Sequence, residues 1–131
     1  MRYVAVFVCL LSVTACDLFS PANPSPVDAQ FSLAPGQTET IAGASTRVSF
    51  SGVISDSRCP ANALCITGGD AVVRIDVWTS GQSSTHELHT GTMLPVKAHD
   101  LTIELVEVAP YPFSFTPIEQ SAYRVTFRVK R

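Results

Sequence analysis

From Ala29 to the end of the chain, apolar and polar side chains alternate with period two, and no stretch of ten or more residues carries a helical stripe. Alternation sends successive side chains to opposite faces of a strand, so each such segment is half buried and half solvated. That restricts the chain to an all-β fold. The clearest strand is Ala71 to Thr79, where Ala71, Val73, Ile75 and Val77 point one way and Val72, Arg74, Asp76 and Trp78 the other. Gln30 to Leu33 and Thr38 to Ala42 are short strands around the Pro35-Gly36 turn. Residues 45 to 54 set Val48, Phe50 and Gly52 against Arg47, Ser49 and Ser51, and Ser80-Gly81-Gln82 forms a hairpin turn into Ser84 to His89. A strand from Leu101 to about Val108 and a last one from Tyr123 to Lys130 complete the set. Seven short strands in about 100 residues predict a small antiparallel β-sandwich, immunoglobulin-like or similar. A small β-barrel is the alternative, since the same pattern covers a barrel wall. Either way the expected core is Val73, Ile75, Val77, Leu101, Ile103, Leu105, Val125 and Phe127.

The start of the chain follows a different rule. A basic Arg2, an apolar run from Tyr3 to about Val13, small residues at Thr14 and Ala15, and then Cys16 resemble the bacterial lipoprotein signal and its lipobox. The resemblance implies that residues 1–15 are a signal peptide, cut just before Cys16, and that Cys16 is the lipidation site. Two or more acyl chains, at about 0.8 kcal/mol per buried CH2, give anchoring that hardly reverses. A transmembrane helix is the competing reading, but the run has little more than half of the roughly 20 apolar residues that a bilayer needs. An ordinary secretory signal with an incidental cysteine is the other. Asp17 resembles the inner-membrane retention signal of enteric bacteria, a rule not shared by all bacterial groups, so the inner and the outer membrane both stay open. The expected location is the cell envelope, with the membrane as partner through the lipid anchor.

Residues 16–28 hold Pro21, Pro24 and Pro26 with few large apolar side chains and read as a tether. Extended like polyproline at about 3.1 Å per residue, the twelve residues 17–28 would hold the domain roughly 35 Å from the bilayer. The folded domain is then 29–131, a single domain. Without Arg2 the mature chain has eight Lys or Arg against eleven Asp or Glu, a formal charge of −3. It has no basic stripe with interleaved aromatics, which argues against a nucleic-acid partner. Loss of Cys9 with the signal and acylation of Cys16 leave Cys59 and Cys65. In an exported domain these most simply form one disulfide, with a metal site or a reactive thiol as the alternatives.

The segment Asp56-Ser57-Arg58-Cys59-Pro60, with Cys65 five residues beyond Pro60, resembles a family of uncharacterised bacterial lipoproteins. The likeness extends to Pro35-Gly36-Gln37, to the Leu-, Ile- and Glu-rich strand running into Pro110, and to Tyr123-Arg124-Val125-Thr126, and so covers the mature domain. Only the Asp-Ser-Arg-Cys-Pro core with its second cysteine is specific. Relatives often place an aromatic residue after that cysteine, where this chain has Ile66-Thr67. The resemblance implies no biochemical activity.

Two stretches carry the candidate binding residues. In the cysteine loop, Asp56 and Arg58 are able to satisfy loop backbone and each other, while a disulfide closes the turn. Arg58, Asn62 and Leu64 of this loop are candidates for contact with an envelope protein, because a preorganised loop loses less entropy on binding. The second stretch is Ala109 to Ile118, where Tyr111, Phe113 and Phe115 alternate among prolines. Capping of one end of the sandwich is the favoured reading of these rings, and an exposed lip with Tyr111 and Phe113 as contacts is the other. His86, Glu87, His89, His99 and Asp100 invite a metal, yet His86 and His89 differ by an odd number and face opposite sides of a strand. Asp56, Asp70 and Asp76 match no calcium loop, and no serine sits in a nucleophile elbow. The sequence therefore predicts no metal, no cofactor and no catalytic centre. It describes an envelope binding or structural module, with an inhibitor or accessory subunit offering the disulfide loop as the alternative.

Overall fold

The computed structural model describes Ser25, Pro26 and residues 28–131, arranged as two packed sheets that do not close into a barrel. Nine strands are present among these residues: β1 Ser25–Pro26, β2 Gln30–Leu33, β3 Thr38–Ala42, β4 Thr46–Asp56, β5 Ala71–Thr79, β6 Gln82–His89, β7 Val96–Ala98, β8 Leu101–Ala109 and β9 Arg124–Lys130. The first sheet has the order β1-β3-β4-β5-β6 and the second β2-β9-β8-β7. All pairings are antiparallel except that of β1, which runs parallel to β3. The protein is thus a small β-sandwich. In its first sheet β3 to β6 form a meander of consecutive strands, whereas the immunoglobulin arrangement interleaves them as A-B-E-D and C-F-G.

Period-two alternation builds the core as expected. Val73, Ile75, Val77, Leu101, Ile103, Leu105, Val125 and Phe127 are all buried between the sheets. Phe127 anchors the centre, with the Phe50 and Phe31 rings 6.2 Å and 6.1 Å away in edge-on and tilted contacts. Two strands lie outside the sequence-predicted set. β7 has three residues and pairs Val96 to Ile103, too short a run to show alternation. β1 has two, Ser25 and Pro26 paired with Ile41 and Ala42, and lies in the segment upstream of Ala29. Residues 1–24, with Cys16, lie outside the described residues. Among the described residues no helix is long and apolar enough to cross a membrane.

The register separates two poles. Ser25 pairs with Ile41 and Ile41 with Thr46, so β1 sits where β4 begins. β4 then runs eleven residues to Asp56, roughly 35 Å at about 3.3 Å per residue. The cysteine loop and the Pro-rich aromatic segment both lie at the Asp56 pole.

Candidate functional site

The site is built outward from the end of β4. Asp56 and Arg58 face each other across one residue, and the guanidinium donates Nε to Oδ1 at 2.9 Å and a terminal nitrogen to Oδ2 at 2.7 Å. Arg58 also donates to the carbonyls of Val108 at 2.6 Å and Pro110 at 3.0 Å, and its cation lies 5.3 Å from the Tyr111 ring centroid. The Tyr123 hydroxyl, from the start of the last strand segment, donates to Asp56 Oδ2 at 2.9 Å. One arginine therefore ties β4 to the chain leaving β8. Burial, the largest single influence on Asp56, pushes its pKa up, but the hydrogen bonds from Arg58 and Tyr123 outweigh it and hold the carboxyl below its ordinary value. Burial together with the Asp56 charge pushes the Tyr123 phenol up to about 12.

Ser57 and Cys59 continue the ladder, with Ser57 N–H donating to Asp70 carbonyl at 2.7 Å and Cys59 N–H to Gly68 carbonyl at 2.8 Å. This close approach explains Gly69. Its φ is +71°, and a Cβ there would fall 1.8 Å from the Ser57 carbonyl oxygen. Cys59 and Cys65 are disulfide-bonded, with Cα atoms 5.9 Å apart. Such a bond is a mark of proteins that fold outside the reducing cytosol.

The two candidate stretches form one surface. Ala61 N–H donates to the Pro112 carbonyl at 3.0 Å and Asn62 N–H to the Phe113 carbonyl at 3.1 Å. Tyr111 hydroxyl adds a bond to the Cys59 carbonyl at 2.8 Å. The disulfide loop and the aromatic segment are thereby laced along their backbones. Leu64 and Ile66 of the disulfide loop project fully into solvent, and Phe113 and Phe115 of the aromatic segment are 74% and 79% exposed. Residues 59–69 and 109–118 contain no Asp, Glu, Lys, Arg or His. Behind this ridge lies a cleft of about 440 Å³ walled by Ile54, Pro60, Pro112, Phe115 and Ile118, with Asp56, Arg58 and Tyr123 at its floor.

Several expectations need correction. Arg58 is not a surface contact: it is 8% exposed, because its guanidinium is spent on Asp56 and two carbonyls. The aromatic segment does not cap the sandwich with its rings. Pro112 and Ile118 turn inward instead, and Phe113 and Phe115 face out. Leu64, Asn62 and Phe113 are exposed as read, and Tyr111 is half committed to Arg58 and Cys59. Ile54 and Ile66, which join the apolar surface, were absent from the sequence candidates, although the missing aromatic after Cys65 pointed at position 66.

The candidate metal ligands among the described residues are engaged separately. His89 Nδ1 lies 2.6 Å from Asp70 Oδ2, His86 bonds Ser84, and Asp76 accepts from Ser51 and Thr85. Among the described residues no three His, Cys, Asp or Glu side chains gather as a metal set would. Comparison of the chain with protein-family models, curated proteins and solved structures finds no match.

Proposed function

We propose that the chain is an exported bacterial envelope lipoprotein, anchored through acylated Cys16, whose sandwich is a non-catalytic module presenting the laced loop pair to an envelope protein. The observation that carries this reading is the ridge itself. Leu64, Ile66, Phe113 and Phe115 stand exposed on two uncharged loops that a disulfide, an ion pair and three cross-loop hydrogen bonds hold in place. Large apolar side chains exposed together on one pair of loops are a mark of interaction sites. Depletion of charge and enrichment of aromatic side chains are what the centre of a protein interface looks like. A non-catalytic role is supported by the floor of the cleft, where Asp56, Arg58 and Tyr123 are consumed by one another and by backbone carbonyls.

The position of the ridge suits a partner away from the anchoring bilayer. An anchor upstream of β1 would enter at the opposite pole, roughly 35 Å of strand away.

The test has two arms. Cys16→Ser should accumulate as unprocessed precursor and leave the membrane fraction; normal maturation of that variant would remove the lipoprotein reading. In the wild-type background, crosslinking in the native envelope should capture a defined protein that Leu64→Asp and Phe113→Ser both lose while their thermal unfolding is unchanged. Capture of the same protein by all three would remove the ridge as the contact surface.

A further inference from the structure

We infer that the outward face of the first sheet carries a second binding site, centred on Trp78, for a saccharide bearing an anionic substituent. The site is remote from the ridge, near the β1 pole, and the inference does not depend on the lipid anchor. Trp78 is the chain's only tryptophan. It remains 36% exposed on β5 although its neighbour Val77 is fully buried, because alternation turns it away from the core. Strand register places Thr40, Arg47, Trp78 and Ser83 in one cross-strand row. With Ser45, Ser80 and Gly81 of the adjoining turns, Arg47, Trp78 and Ser83 line an open depression of about 430 Å³. That is room for a sugar ring.

Each element of the row has a counterpart in such a ligand. The face of an indole is electron-rich, so it attracts the partly positive C–H edge of a pyranose. Arg47 is exposed and its guanidinium carbon lies 5.8 Å from the Trp78 ring centroid. A guanidinium carries planar N–H donors that match a carboxylate or phosphate. Serine hydroxyls are able both to donate and to accept, as sugar hydroxyls require. One row along the strand, at about 7 Å, both Asp76 oxygens are occupied by hydrogen bonds from Ser51 and Thr85. A docking protein would meet several apolar side chains, as at the ridge. Here a single indole stands among hydroxyls, which favours a polar ligand with one apolar face.

The lone tryptophan makes the test direct, since its emission reports this site alone. The purified full-length protein, in a detergent without sugar groups, would be titrated with the N-acetylglucosamine–N-acetylmuramic acid disaccharide, with deacylated bisphosphorylated glucosamine disaccharide, and with neutral chitobiose. The expected result is a saturable change in emission with an anionic disaccharide, about tenfold weaker with chitobiose. The first two arms separate a carboxylate glycan from a phosphorylated one. Arg47→Gln should erase the preference for charge, and Trp78→Ala, followed by calorimetry, should erase binding, while Leu64→Asp should leave it intact. No saturable change with either anionic sugar, an equal response to chitobiose, or binding retained in Trp78→Ala would overturn the assignment.

Discussion

Arg58 and Asp56 form a two-point ion pair whose side chains are only 7% and 12% exposed, with the cation also bonded to the carbonyls of Val108 and Pro110. Removing one partner leaves the other charged and buried, which typically costs about 3 to 5 kcal/mol. Asp56→Asn should therefore lower unfolding stability by several kcal/mol at neutral pH, read from urea unfolding. Acid should act in the same place. The folded pKa of Asp56 lies below its reference value of 3.8, so its contribution is full above that value and is lost as pH falls through the folded pKa. Wild type should lose more stability than Asp56→Asn on going from pH 6 to pH 3, roughly the span in which carboxylates titrate.

Tyr123 gives the alkaline counterpart. Its folded pKa is pushed up to about 12 from 10.0, so the stabilisation is full below the lower value and is lost as pH rises through the higher one. Ultraviolet titration should find a phenol ionising near 12, and Asp56→Asn, which removes the neighbouring negative charge, should bring that midpoint down. An unmoved midpoint would separate Tyr123 from Asp56.

The adjacent glycines of the loop should behave differently. A Cβ at Gly69 meets the Ser57 carbonyl, at a φ that side chains disfavour, whereas one at Gly68 meets nothing within 4 Å. Gly69→Ala is expected to cost more than about 3 kcal/mol, well above the cost of an ordinary surface substitution, and Gly68→Ala less than about 1 kcal/mol. Thermal unfolding of the two variants side by side measures the difference.

Core faces supply a fourth expectation. Ile75 and Ile103 are fully buried on facing sheets, while Thr102, between two buried neighbours, turns outward. Ile75→Ala or Ile103→Ala should cost about 2 to 5 kcal/mol, with Thr102→Ala near zero. Equal costs would mean a slipped register.

Those faces were legible in the sequence because alternation is a local signal that one buried side of a strand imposes residue by residue. β5 and its inward set could be read directly from Val73, Ile75 and Val77. What stayed hidden depends on partners far along the chain. Gln120, in a short 3-10 turn, pairs its side-chain amide with both Val53 N–H and Val53 carbonyl, imitating a strand residue. Nothing in its sequence neighbourhood announces that. The pairing of Arg58 with Asp56 could be read from their spacing, but the burial of the cation could not, because the carbonyls that complete its shell lie 50 and 52 positions downstream. The lacing of Asn62 to Phe113 is a backbone contact, invisible to side-chain identity.

The lacing makes the disulfide more than a local clip. Closing so small a loop reduces the freedom of the unfolded chain by about 2 to 2.5 kcal/mol in the chain-entropy picture. In the folded protein the same bond holds the turn whose Ala61 and Asn62 amides reach across to the aromatic segment. Cys59→Ser with Cys65→Ser should therefore lower global stability by about 2 kcal/mol. It should also release Ala61 and Asn62 to hydrogen exchange well before β5, because opening of the loop no longer requires opening of the sheet. Strand amides should keep their order of protection. If the two loop amides instead exchange only with global unfolding, the ion pair and the Tyr111 bond hold the ridge on their own, and the disulfide acts on the unfolded chain alone.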